Sequence, residues 1–138
     1  MKRLLSLLLV LVLVLGAVPM TVLAANPFTD VPQNQWYYAD VDSAYQNGLI
    51  NGKTPTLFMP NDNLPYAEAV KLAAAMNQRY TTGAVTLQNG DPWYQTYVDY
   101  CKTKKIIDVD YAWNQPATRA GYMEIFASAL PNSAMKEI

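Results

Sequence analysis

Slid along itself by 57 positions, so that Trp36 falls on Trp93, the 138-residue chain repeats. Trp36-Tyr37 lands on Trp93-Tyr94, Val41-Asp42 on Val98-Asp99, Ala44 on Cys101, and Leu49-Ile50 on Ile106-Ile107. A following loop four residues shorter then brings Pro65-Tyr66-Ala67-Glu68 over Thr118-Arg119-Ala120-Gly121. A unit of about 55 residues buries too little apolar surface to be comfortably stable alone, so the copies are expected to pack on each other or on something further along.

Within each copy the apolar spacing is helical. Tyr94, Tyr97, Val98 and Cys101 follow i, i+3, i+4, i+7, as do Tyr122, Ile125, Phe126 and Ala129. In the first copy Tyr38, Val41 and Tyr45 mark one face, and Ala69, Leu72, Ala73, Met76 and Tyr80 another. Each unit therefore reads as helix, loop, helix, and the fold class as all-α. Gly48 suits a left-handed helix end, while Lys105 holds that place in the second copy at a higher conformational cost. Thr118 is a good N-cap, and Pro65 suits the first turn of the corresponding helix. Residues 81–91, with Gly83 and Asn89-Gly90, read as a linker with one short extended segment at 84–87.

The ends are read separately. Met1-Lys2-Arg3, a Leu/Val run over 4–18, Pro19 and Val22-Leu23-Ala24-Ala25 read as a secretory signal peptide over 1–24, cleaved after Ala24 or Ala25. The run of about 15 residues is short of the roughly 20 that span a bilayer, and no Cys stands at the cleavage point for a lipid anchor. The predicted units are 1–24 leader, 26–80 first module, 81–90 linker, 91–131 second module and 132–138 the run-in to a further module.

Charge and composition exclude several functions. Ten Lys+Arg against 11 Asp+Glu form no basic block, so no nucleic-acid partner is expected. With no His and one Cys, the chain lacks Ser/His/Asp and Cys/His catalysis, the usual zinc sites and internal disulfides. Cys101 lies in the apolar register of a helix and is expected to be buried. The pairs Asp40/Asp42 and Asp108/Asp110 lack the Gly and distal Glu of a calcium loop, and no cofactor or metal is expected.

The ordered signposts carry a resemblance. Phe28-Thr29-Asp30-Val31, Trp36-Tyr37, Gly48-Leu49-Ile50-Asn51-Gly52, Phe58-Met59-Pro60 and Ala67-Glu68, with Trp93, Ile106-Ile107 and Thr118-Arg119-Ala120 in the second copy, resemble the S-layer homology family. Where that family has Thr-Arg-Ala-Glu, the first copy has Pro65-Tyr66-Ala67-Glu68 and the second Thr118-Arg119-Ala120-Gly121, so neither keeps Arg and Glu together. The family commonly packs three modules with approximate threefold symmetry.

The resemblance implies a non-catalytic, secreted, cell-surface anchor that binds an anionic secondary cell-wall polysaccharide, often bearing a pyruvylated amino sugar. Further modules or surface-layer neighbours would be its protein partners, and no membrane partner remains after leader cleavage. The implied ligand-binding residues are Arg119, Thr118, Trp93, Trp36 and Gly52. A guanidinium beside the free N–H groups of a helix start suits a ketal carboxylate. Trp36 and Trp93 either offer a face to a sugar or pack between helices, and Gly52 either admits a ligand or serves its turn. Tyr66 in the Arg position leaves the first module a weak anion binder unless Lys53 compensates, and Glu68 is expected to cap its own helix. Two other readings stay open: a tether for a wall or polymer hydrolase, and a lattice-packing module without glycan binding.

Overall fold

The computed structural model describes residues 25–134; the leader expected over 1–24 and the last residues of the run-in, 135–138, lie outside the described part. Four helices follow in order: α1 Tyr38–Gln46, α2 Tyr66–Thr82, α3 Gln95–Thr103 and α4 Arg119–Ala129, with a closing 3-10 turn at Asn132–Ala134. Among the described residues there is no strand, only the isolated bridges Thr54 to Leu57 and Pro65 to Pro116, so the all-α expectation holds. The extended segment expected at 84–87 does not form a strand.

Helix α2 is the hub. It packs on both α3 and α4, so the second helix of the first copy shares one core with both helices of the second. Its buried positions Ala69, Val70, Ala73 and Ala74 are small and let the neighbouring helices approach closely, meeting Val98, Cys101, Ile107, Ile125 and Ala129. Val70, Val98, Cys101 and Ile125 are fully buried, and each of the three aliphatic ones contributes about 1.5–3 kcal/mol. Cys101 is buried as expected, its Sγ lying 3.6 Å from the Val70 carbonyl oxygen, and burial pushes its thiol pKa up to about 12. Tyr80, in the last full turn of α2, is exposed rather than part of this face.

Helix α1 belongs elsewhere. Among the described residues it packs on no other helix; Val41 joins Phe28 and Val31 in a smaller cluster ringed by Tyr37, Tyr38, Tyr45, Ile50 and Phe58. The repeated copies thus fold alike locally and pack differently.

The local likeness extends to individual backbone bonds. Leu49 N–H donates to Ala44 O at 2.9 Å and Ile106 N–H to Cys101 O at 2.8 Å, while Gly48 and Lys105 bond back to Tyr45 and Lys102. Both Gly48 (φ +70°) and Lys105 (φ +57°) are left-handed, as their shared register predicts. A side chain in that region costs about 1–2 kcal/mol, part of which glycine forfeits through its looser unfolded chain. Lys105→Gly is therefore expected to stabilise the fold by about 0.5–1 kcal/mol, read as a raised urea midpoint at constant slope; a lowered midpoint would contradict it.

The helix starts show why the two motifs differ. Thr118 caps α4 with its hydroxyl oxygen, which accepts from Gly121 N–H at 3.0 Å. Pro65 is the N-cap of α2 rather than its first helical residue, and it has no side-chain acceptor to offer. The free amides are satisfied from outside instead: Tyr66 N–H donates to Gln115 O at 3.1 Å and Ala67 N–H to Trp113 O at 2.9 Å. The run-up to α4 thereby caps α2.

Candidate functional site

Loop residues 49–64 build one wall of a cavity of about 490 Å³, and Glu68, Lys71 and Leu72 of α2 with Trp93 build the other. The loop is held by its own chain. Asp30 accepts from Phe58 N–H at 2.9 Å and from Met59 N–H at 2.7 Å, which fixes Met59 at φ +61°. These amides, Phe58's foremost, hold the Asp30 carboxyl below the usual carboxylate value. Gly52 is left-handed at φ +76°, and a Cβ there would strike the Phe28 ring and lie 2.7 Å from Leu57 O and 2.9 Å from Thr54 O. Turn geometry and the approach of Phe28 therefore account for this glycine.

Two lysines line the cavity in different states. Lys53 is ion-paired with Glu68, so Glu68 does not cap its own helix as expected but reaches across to the loop. Lys71 Nζ stands 5.8 Å from the Trp93 ring centroid and 5.4 Å from that of Tyr97, and has no ion pair among the described residues. Burial lowers its pKa, with the Glu68 charge acting the other way. A partly desolvated cation held on two aromatic faces is pre-placed for an anion at about 0.5–2 kcal/mol per ring contact. Trp93 in turn lies edge-on to Tyr94 and Tyr97 and packs against the core.

A second place gathers the two altered motifs. The Tyr66 hydroxyl lies 3.3 Å from Thr118 Oγ1 and accepts from Thr118 N–H at 3.4 Å, and its ring stacks on Tyr111 at 4.6 Å. Gly121 is buried beneath this ring: a Cβ there would meet the Tyr66 hydroxyl and lie 2.9 Å from Cε1. The tyrosine in one copy and the glycine in the other are thus two halves of one contact. Arg119 opens α4 beside Thr118, exposed and without an ion pair among the described residues.

Of the residues expected to bind ligand, Gly52 and Trp93 line the cavity together. Thr118 and Arg119 stand at the motif junction and do not line it. Trp36 is 86% exposed, edge-on to Tyr37, so the option of helix packing that fits Trp93 does not apply to its repeat partner. Lys71 and Asn51 were not singled out from the sequence. Lys71 is a lysine within a helical pattern, and only the fold brings Trp93 and Tyr97 beneath it.

Comparison with known proteins finds a family likeness in the first copy. The S-layer homology domain model matches residues 27–75, which include the Asp30 clamp, the Gly52 turn, Glu68 and Lys71. The Surface-layer 125 kDa protein of Lysinibacillus sphaericus is 25% identical over 116 residues, covering 76% of this chain and 10% of that protein. The Cell surface protein of Thermoanaerobacter kivui is 42% identical over 45 residues, 33% of this chain and 6% of its own length. The chain thus spans a tenth or less of these relatives. No solved structure matches it with significance. Residues 27–75 thus match the S-layer homology domain that the ordered signposts resemble, and both relatives carry the names of surface proteins.

Proposed function

We propose that this chain anchors a secreted protein to the cell wall by taking an anionic, pyruvylated sugar of a secondary wall polysaccharide into the cavity between the Gly52 loop and Trp93. Lys71 carries the reading: it places a cation and the Trp93 ring in one concavity, the pairing that a carboxylated sugar requires. Lys53 is within the same wall and can exchange Glu68 for the ligand's carboxylate. The chain supplies binding and no catalysis.

Lys71 and Arg119 are the two cations to compare. Lys71→Gln is expected to weaken binding of the methyl glycoside of a pyruvylated amino sugar about ten- to a hundredfold in calorimetric titration, the loss of one charge-assisted contact of about 1.5–3 kcal/mol. Arg119→Ala is expected to change it less than twofold. The opposite order would move the site to the motif junction, and equal affinity of both variants and the parent would remove both residues from it.

A further inference from the structure

Asparagine followed by glycine occurs three times in the chain, at Asn47-Gly48, Asn51-Gly52 and Asn89-Gly90. In such a pair the glycine amide nitrogen can attack the asparagine Cγ, because the following residue has no side chain to obstruct the approach. The fold holds the three pairs very differently.

Asn47 is tied at both ends of its carboxamide. Its Nδ2 donates to Ser43 O at 2.8 Å, its Oδ1 accepts from Arg79 Nη2 at 3.2 Å, and Gly48 N–H donates to Tyr45 O at 2.9 Å. At the third pair, Asn89 Oδ1 accepts from the Tyr97 hydroxyl at 2.9 Å and Gly90 N–H donates to Trp93 O at 3.1 Å. The Tyr97 bond polarises the Asn89 carbonyl in favour of attack, but the nitrogen that would attack is spent on Trp93. Asn51 is exposed, and neither its carboxamide nor the Gly52 N–H makes a hydrogen bond among the described residues. Opening one neutral hydrogen bond costs about 0.5–1.5 kcal/mol, so each bond that must open slows ring closure about two- to tenfold.

The turn also dictates the residue that permits the reaction. Gly52 is left-handed at φ +76° and lies against Phe28 and two carbonyl oxygens, so a bulkier and slower successor to Asn51 does not fit. Asn51 lines the same cavity as Lys53 and Lys71.

We propose that Asn51-Gly52 is a site of spontaneous deamidation, and that its product sets a carboxylate in the cavity wall that holds Lys53 and Lys71. The Gly52 nitrogen gives its proton to solvent and bonds to Asn51 Cγ, while Nδ2 takes a proton from solvent and leaves as ammonia. Water then opens the succinimide at either carbonyl, to aspartate or to isoaspartate, whose main chain is one methylene longer. Either product adds a negative charge that competes with an anionic ligand for the two lysines. This effect on binding rests on the proposed function; the conversion itself does not.

The purified chain, native and unfolded in guanidinium chloride, is aged at mildly alkaline pH and sampled by peptide mapping with fragment-ion sequencing, which reads each asparagine separately. In the native chain Asn51 is expected to convert about tenfold faster than Asn47 and Asn89, and in the unfolded chain the three rates are expected to converge. Conversion led by Asn47 or Asn89, or native rates in the same ratio as the unfolded ones, would overturn the site. Calorimetric titration with the methyl glycoside of a pyruvylated amino sugar reads the consequence. The fully converted chain and a fresh Asn51→Asp variant are each expected to bind about tenfold more weakly than the fresh parent. Unchanged affinity of both would overturn the effect on binding and leave the modification site standing on the peptide map. A fresh parent that binds no glycoside would overturn the proposed function and that effect with it, and conversion led by Asn51 would still support the site.

Discussion

Gly121→Glu, the change that restores the family's Thr-Arg-Ala-Glu motif in the second copy, is expected to destabilise the fold by roughly 3–5 kcal/mol. Gly121 is buried, and even a Cβ there would collide with the Tyr66 hydroxyl and ring. Overpacking of this kind costs about 1–3 kcal/mol, and driving a carboxylate into a place without a cation adds a desolvation penalty of similar size. The first turn of α4 and its packing on α2 would be lost, and with them the core. Tyr66→Ala clears the space at the expense of the stack on Tyr111 and the bonds to Thr118. The double variant Tyr66→Ala/Gly121→Glu is therefore expected to be more stable than Gly121→Glu alone, a coupling of roughly 1–3 kcal/mol in denaturant titrations. Additive costs would mean that the two altered motifs are independent losses and not one contact.

That contact marks the limit of what the sequence made legible. The repeat register located the left-handed positions at Gly48 and Lys105, the buried Cys101 and the cap at Thr118, because each is set by neighbours within a turn or two. Tyr66 and Gly121 looked like separate departures because their contact joins residues 55 apart in sequence and different helices. Repeat symmetry also predicts equal surroundings for equal positions. The packing breaks it: α3 lies on α2 whereas α1 lies on loops, so Trp93 is half-buried and Trp36 stands in solvent. The candidate site was half legible for the same reason. Gly52 and Trp93 belong to recognisable motifs, but Lys71 becomes notable only when two rings from α3 and its approach lie beneath it.

Gly52→Ala is expected to cost roughly 2–4 kcal/mol, and to do so in one part of the molecule. The left-handed angle alone penalises a side chain by about 1–2 kcal/mol, and the overpacking against Phe28 and the two carbonyl oxygens adds a further share. Phe28 belongs to the small cluster with Val31 and Val41, and α1 has no helix to lean on. Local opening is therefore cheaper than global unfolding. Hydrogen exchange should show protection falling across residues 28–58 while the amides of α2, α3 and α4 keep theirs, and glycan affinity should fall because the loop wall of the cavity is no longer fixed. Uniform loss of protection across all four helices would contradict the division into two clusters.

Wall attachment through the polysaccharide is tested most directly by co-sedimentation of the purified chain with cell-wall sacculi, before and after extraction of the secondary polysaccharide. The account predicts that the chain pellets with intact sacculi, stays in the supernatant with extracted ones, and is released by free pyruvylated disaccharide. Undiminished pelleting with bare peptidoglycan would contradict it.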